Sequence, residues 1–377
     1  MATRKTMSRH SVGANPVAAR TRGGAGRFAM VLGACGLLAL SASIARAAGV
    51  TLGETGSTLL YPLFQLWLPD YGRIASDVTI TTAATGSGAG IAGAMSGAAQ
   101  IGASDAYMSD EQVEQNPLLI NIPLAISAQT VNYDVPGLNG TALKLDGPVL
   151  ADIYFGRITQ WNAPAIAALN PGVALPHQRI VPIRRVDASG DTFIFTQFLD
   201  FSAQVWGDRI GYGTTVAWPD VPGERTARGN AGMVQALAAT PYSIAYIGIS
   251  FRDAIDKAGL GTAMLKNQSG RFLLPTAQTV SAAASMLDPR TPPDERLSLV
   301  FAPGAQSYPL INYEYAIVSK RQANPGSAAA LRSFLLWAIS PEGGNAPQYL
   351  DAVGFIPLPD FIRALSEQQI GQIGSGG

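Results

Sequence analysis

Short apolar runs alternate along the chain with polar loops that are rich in glycine and serine. Residues 50–53 and the β-branched run 78–82 predict two strands, and residues 101–103 predict a third. Apolar residues at helical spacing predict a helix over 59–74, and small residues predict a short helix over 91–96. The order strand, loop, helix, strand is typical of an α/β sheet.

The same alternation continues to the end of the chain. Further strands are predicted at 124–133, 180–183, 243–249 and 309–318. Further helices are predicted at 148–155, 163–169, 193–201, 229–239 and 328–339. The pattern therefore extends one mixed α/β architecture over most of the sequence.

Residues 1–47 have the form of a secretory signal peptide. This segment contains seven basic residues and no acidic residue, an apolar run over 28–44, and the small-residue exit Ala45-Arg46-Ala47. We expect cleavage near Ala47 and a periplasmic or secreted protein. A retained N-terminal anchor is one alternative. Lipid anchoring through Cys35, which follows Leu32-Gly33-Ala34, is another and weaker one.

The charge balance after cleavage argues against a nucleic-acid partner. The mature chain keeps 19 basic residues against 26 acidic ones, a net charge of −7, and shows no basic tract. It would contain no cysteine and one histidine, His177, so we predict neither a metal site nor a cofactor. About 330 mature residues predict two domains.

Three glycine- and serine-containing loops each lie between a predicted strand and a predicted helix. The first turn of a helix has unpaired N–H groups and a partial positive charge, so three such turns that converge can hold a small oxyanion. Arg185 would add a guanidinium, which Asp187 can orient. The loops are Gly56-Ser57-Thr58, Gly86-Ser87-Gly88 and Ser189-Gly190-Asp191.

Alternative interpretations exist for these features. Each loop can cap its helix without binding a ligand, and Asp105 can be an N-cap. If Asp105 faces an anion, it can accept a hydrogen bond only from a protonated one, which favours phosphate over sulfate. The segment 88–93 also fits the GxGxxG dinucleotide pattern, but its helix is short and Asp105 follows too early for a ribose-binding acid.

Seven motifs follow one another along the chain: ETGSTLLYPLFQLW, TGSGAGI, IGASDAYMS, ADIYFGRITQWN, RRVDASGDTF, AYIGISF and NYEYAIV. With these motifs the chain resembles a known family, the phosphate-binding proteins of the Pst-type ABC importer, and in particular their mycobacterial branch. The resemblance implies a two-domain periplasmic-binding fold with phosphate in the cleft between the domains. It also implies a non-enzymatic, monomeric protein that delivers phosphate to the permease subunits of an importer.

The resemblance also implies domain boundaries and ligand contacts. Domain 1 would comprise 48–126 and 310–377, and domain 2 would comprise 127–309. The contacts would be Ser57, Thr58, the backbone of Leu59, Ser87, Asp105, Arg185, Ser189, Gly190 and Asp191.

Two departures from the family pattern affect these contacts. Leu59 stands where many relatives have Phe, which a backbone donor tolerates. Asp191 stands where many have Thr, so it either faces the ligand as a second carboxylate, turns toward Arg184 or Arg185, or caps the helix. A binder of another oxyanion and a secreted phosphatase remain alternative functions.

Overall fold

The computed structural model describes residues 49–375. The predicted leader, Cys35 and the cleavage near Ala47 therefore lie outside the described residues. The strands of the described part are β1 (Val50–Gly56), β2 (Val78–Thr81), β3 (Ile101–Ser104), β4 (Leu119–Asp134), β5 (Lys144–Leu145), β6 (Val181–Arg185), β7 (Arg225–Ala227), β8 (Ser243–Gly248), β9 (Gly261–Thr262), β10 (Met264–Lys266), β11 (Phe272–Leu273), β12 (Ile311–Ser319), β13 (Arg321–Gln322) and β14 (Gly374–Ser375).

Helices follow most of the larger strands. They are α1 (Tyr61–Ile74), α2 (Ser87–Ser96), α3 (Asp110–Gln115), α4 (Gly147–Tyr154), α5 (Pro164–Leu169), α6 (Gly190–Ser202), α7 (Gln204–Gly207), α8 (Gly229–Ala238), α9 (Arg252–Lys257), α10 (Ala277–Leu287), α11 (Pro325–Ile339), α12 (Pro347–Val353) and α13 (Asp360–Ile370). Within residues 49–375, no helix combines the length and the apolar character needed to cross a membrane.

One mixed sheet organises these elements. Its strand order is β2-β1-β3-β12-β4-β8-β6-β7, and β9 pairs with β4 outside this path. The pairs of β1 with β2 and β3 are parallel, as are the pairs of β6 with β7 and β8. Strand β12 is antiparallel to both β3 and β4, and β8 is antiparallel to β4. The predicted α/β class is therefore confirmed.

Strand β4 connects the two parts of this sheet. It pairs with β12 from Leu119 to Ala128 and with β8 from Gln129 to Asp134. It is buried along all but its last residue, which explains its nearly continuous apolar sequence. The predicted domain boundary, between residues 126 and 127, lies two residues before this change of partner, and the division into two domains stays a prediction.

The glycine-rich segment after β2 has a packing role in helix α2. A Cβ on Gly90 would lie 2.9 Å from Gly56 Cα, and a Cβ on Gly102 would overlap the carbonyl group of Gly90. These glycines let α2 approach β1 and β3 closely. Close helix–strand packing thus accounts for Gly90, one of the three glycines that matched the dinucleotide pattern.

Candidate functional site

The first loop joins β1 to α1 and contacts Asp105. Ser57 N donates to Ala103 O at 2.9 Å, and Ser57 Oγ accepts from Leu59 N at 3.1 Å and from Leu60 N at 2.9 Å. The Ser57 hydroxyl also donates to the Asp105 carboxylate. Ser57 therefore accepts from the turn that precedes α1 and does not cap this helix, whose N-cap is Leu60, and it contacts a buried acid.

The next two residues of this loop face α8 and β8. Thr58 Oγ1 accepts from Asn230 N at 3.2 Å and from Asn230 Nδ2 at 3.0 Å. Leu59 is fully buried, and its carbonyl accepts from Ser250 Oγ at 2.7 Å. The predicted backbone donor, Leu59 N, lies in the turn that precedes α1 and donates to the Ser57 hydroxyl oxygen.

The second loop contacts the third through the backbone. Gly86 has φ of 99°, a value that glycine tolerates, and Ser87 begins α2. Ser87 Oγ accepts from Asp105 N at 3.1 Å, and Gly88 N donates to Ala188 O at 3.1 Å. The second loop thus lies between Asp105 and the segment that precedes α6.

The third loop completes the cluster. Ser189 caps α6, because its Oγ accepts from Thr192 N at 3.3 Å. A Cβ on Gly190 would lie 2.5 Å from Ser87 Oγ and from Asp105 Cβ, so only glycine allows this approach. The three loops therefore converge on Asp105, and their predicted role in holding an oxyanion stays a prediction.

Arg185 lies at the end of β6 and is buried within acidic side chains. Its Nε donates to Asp187 Oδ1 at 2.8 Å, its Nη2 donates to the other Asp187 oxygen, and its Nη1 donates to Asp191 Oδ2 at 2.6 Å. Burial acts to raise the pKa of Asp187, but the guanidinium outweighs it and the pKa lies below its ordinary value. Arg184 faces the other side of the strand and pairs with Glu224 at 2.5 Å.

The Asp191 side chain turns toward Arg185, and it does not contact Arg184. Besides the guanidinium, Asn230 Nδ2 donates to Asp191 Oδ2 at 2.8 Å and Gln129 Nε2 donates to Asp191 Oδ1 at 3.1 Å. Burial raises the pKa of Asp191 above its ordinary value, although Arg185 opposes this shift. The helix cap at this position is Ser189, so Asp191 does not serve as the cap.

Asp105 is buried at the centre of the three loops. Burial and, next, the charge of Asp191 raise the pKa of Asp105 to about 7, against the effects of Glu314, Ser57 and Arg185. The next helix, α3, has Ser109 as its N-cap, so Asp105 is not a helix cap. The surroundings of Asp105 therefore disfavour its charged form relative to an exposed carboxylate.

The site and the fold can now be compared with known proteins. The profile of the PBP superfamily domain matches residues 42–342. The phosphate-binding protein PstS of Methanocaldococcus jannaschii is 31% identical over 342 residues, which cover 86% of each chain. The chain belongs to the PstS family of the PBP superfamily. PstS 3 of Mycobacterium leprae is 30% identical and aligns over 83% of this chain and 84% of its own.

Solved structures share the fold of this PstS-family protein. A high affinity periplasmic phosphate-binding protein bound with phosphate superposes with a TM-score of 0.66 at 22% identity, over 87% of this chain and all of that chain. An ABC-type phosphate transport receptor from Vibrio cholerae superposes with a TM-score of 0.52 at 16% identity, over 82% of this chain and all of that chain. The predicted family and the periplasmic-binding fold are confirmed.

Three further residues of this PstS-family protein belong to the cluster and carry no prediction. They are Gln129 on β4, Asn230 at the start of α8, and Glu314 on β12, and all three are buried. A polar side chain in a buried strand needs a hydrogen-bond partner, so the sequence could have indicated that Gln129 and Glu314 each bond to another residue. Nothing in the local sequence says which distant side chain that partner is.

The cluster has the donors for a small oxyanion but carries excess negative charge. Among the described residues, hydrogen bonds account for three of the five N–H groups of Arg185, so its planar fork keeps donors for a ligand. Asp187, Asp191 and Asp105 surround this single cation. In residues 49–375, no three or more His, Cys, Asp or Glu side chains are grouped so as to hold a metal ion.

Proposed function

We propose that this protein binds inorganic phosphate where the three loops meet Arg185 and delivers it to an ABC importer. The convergence of helix starts, hydroxyl groups and a guanidinium on a buried acid is the observation that carries the proposal. The relatives that cover most of the chain are named phosphate-binding proteins, which supports phosphate as the ligand.

The predicted site residues have specific roles in this proposal. Arg185 supplies positive charge, and Asp187 fixes the plane of its guanidinium by two hydrogen bonds. Asp105 accepts a hydrogen bond from the protonated oxygen of the bound phosphate. Asp191 adds a negative charge beside Arg185. Hydroxyl and backbone groups around the ligand come from Ser57, Thr58, Leu59, Ser87, Ser189 and Gly190.

The remaining properties follow from this role. Two domains would close on the ligand. The first comprises residues 48–126 and 310–377, and the second comprises residues 127–309. The protein would be exported after cleavage near Ala47 and act as a monomeric binding protein rather than an enzyme. Two alternatives, another oxyanion as ligand and a secreted phosphatase activity, are not favoured, because the relatives are named as binding proteins and transport receptors.

Calorimetric titration with phosphate, arsenate and sulfate tests the proposal, after endogenous phosphate has been removed from the protein. We expect phosphate and arsenate to bind, and we expect the affinity for sulfate to be lower by a factor on the order of a thousand. Sulfate carries no proton near neutral pH, so it cannot donate a hydrogen bond to the Asp105 carboxylate. Equal affinities for phosphate and sulfate would reject the proposal. Turnover of a chromogenic phosphate ester would support the phosphatase instead.

The selectivity should depend on pH and on Asp105. Protonated Asp105 can donate to sulfate, so sulfate should compete better as the pH falls through the Asp105 pKa of about 7. Asp105→Asn supplies a permanent donor and should relax the discrimination at every pH. Unchanged selectivity in this variant would place Asp105 outside the ligand contacts.

A further inference from the structure

Glu314 is a buried carboxyl group directly behind the candidate site. Its Oε1 accepts from Ser127 Oγ at 2.5 Å and from Asn312 Nδ2 at 3.0 Å. Its Oε2 receives no donor from the described residues, although it is fully buried. An ionised oxygen in this position would be an unpaired buried charge, whereas a protonated oxygen needs only an acceptor.

The strand register brings that acceptor to Glu314. In the antiparallel pair of β12 and β3, Tyr315 lies opposite Ser104, so the next position along places Glu314 beside Asp105. A register irregularity in the pairing of β12 with β4 falls between Glu314 and Tyr315. A shared partner supports this placement, because Asn312 Nδ2 donates to the Asp105 carbonyl oxygen at 3.3 Å and to Glu314 Oε1 at 3.0 Å.

Two adjacent buried carboxyl groups cannot both be ionised at low cost, so the pair shares a proton. Asp105 accepts a hydrogen bond from the Ser57 hydroxyl and is attracted by the positive charge of Arg185, and both interactions favour its ionised form. Glu314 lies next to Asp105, no Lys or Arg within residues 49–375 forms an ion pair with it, and burial raises its pKa well above the ordinary value. The shared proton therefore belongs on Glu314.

We propose that protonated Glu314 donates a hydrogen bond to Asp105 and thereby holds Asp105 as an acceptor for the proton of the bound phosphate. This inference rests on the proposed function. Glu314 is a positioning residue that determines specificity through Asp105 and does not itself contact the ligand. Asp191 and Arg185 are the other charged groups that act on Asp105, with opposite signs.

Two substitutions separate this role from a merely structural one. Glu314→Gln keeps a donor toward Asp105 in a side chain of the same shape, whereas Glu314→Leu keeps most of the volume and removes the donor. We expect Glu314→Gln to retain the rejection of sulfate. In Glu314→Leu, Asp105 should take up the proton and become a donor, so the preference for phosphate over sulfate should fall at least about tenfold at neutral pH.

A pH profile provides the second readout. At alkaline pH, wild-type Glu314 ionises and places a second negative charge beside Asp105, which weakens phosphate binding. Glu314→Gln cannot ionise, so its affinity for phosphate should fall less steeply on the alkaline side. Parallel profiles, or a Gln variant as unselective as the Leu variant, would overturn the inference. If the Leu variant does not fold, the comparison of wild type with Glu314→Gln decides.

Infrared difference spectroscopy tests the proton without any ligand. The spectrum of the wild-type protein at neutral pH should contain a protonated carboxyl band that Glu314→Gln lacks, and absence of this difference would also overturn the inference. Failure of the wild-type protein to bind phosphate would instead reject the proposed function, so the two failures are distinguishable.

Discussion

Replacement of Asp191 by threonine, which removes a buried carboxyl group, tests how charge controls this site. In the wild type, Asp191 and Asp187 both bond the one guanidinium, and Asp105 lies in the same cluster. An anion that uses the remaining donors of Arg185 must approach the Asp191 carboxylate. We expect Asp191→Thr to bind phosphate more tightly than the wild type, above all at alkaline pH.

The magnitude follows from two opposing effects. At about 5 Å and an effective dielectric constant of about 20, two unit charges repel by about 3 kcal/mol. Against this, the variant loses hydrogen bonds of Asp191 with Arg185, Gln129 and Asn230. Threonine replaces these only in part, which costs about 1–2 kcal/mol. The net gain is about 1.4 kcal/mol, which corresponds to affinity about tenfold higher.

The sign of the pH dependence follows from the same charges. Burial already raises the pKa of Asp191 in the free protein, and a bound anion raises it further, so binding takes up protons. Affinity for total phosphate should therefore fall as pH rises, and it should fall less steeply in Asp191→Thr.

Calorimetric titrations at a mildly acidic, a neutral and an alkaline pH measure both effects. Asp256→Thr removes the same charge from the exposed face of α9 and serves as the control, with affinity close to that of the wild type. Weaker binding by Asp191→Thr at every pH would mean that Asp191 mainly orients Arg185. Parallel pH curves would show that Asp191 does not exchange a proton on binding.

Two further substitutions test the geometry of the site. Arg185→Ala removes the buried cation and should weaken phosphate binding by about 2–5 kcal/mol. Arg184→Ala loses only the pair with Glu224 and should change the affinity less than about threefold. If calorimetry gives the reverse order, Arg184 and not Arg185 faces the ligand. Gly190→Ala puts a Cβ against Ser87 and Asp105 and should weaken phosphate binding at least about tenfold. Gly140→Ala is the control, because no atom lies within 4 Å of the added Cβ. Equal affinities of the two variants would contradict the close approach of the loops.

The sequence predicts the existence of the main elements better than their limits. Helices α2 and α6 begin at Ser87 and Gly190, several residues before their predicted starts. The early residues are small and polar, so they show no apolar periodicity, although they form the first helical turns. Strand β4 begins at Leu119, before its predicted start at residue 124. Pro123 lies between the two positions, and a proline is uncommon inside a strand. A register irregularity in the pairing with β12 accompanies this proline.

The loops of the site were predictable because their signals are local. A glycine and a hydroxyl between a strand and a helix indicate a helix start, and Asp187 lies two residues from Arg185. The partners Gln129, Asn230 and Glu314 come from strand β4, helix α8 and strand β12, and only the tertiary fold brings them to the cluster. The direction of the Asp191 side chain also depends on those partners, since two of its donors are Gln129 and Asn230.

The excess of acidic groups around Arg185 gives the site a way to choose among anions. A site with one cation and several buried carboxyl groups penalises every anion that arrives without a proton. Sulfate has no proton to offer near neutral pH, whereas phosphate carries at least one and can share it with Asp105. The same charge that lowers affinity for anions in general therefore favours the protonated one. If Glu314 retains its own proton, Asp105 stays an acceptor, and the selectivity then rests on a hydrogen bond that sulfate cannot donate.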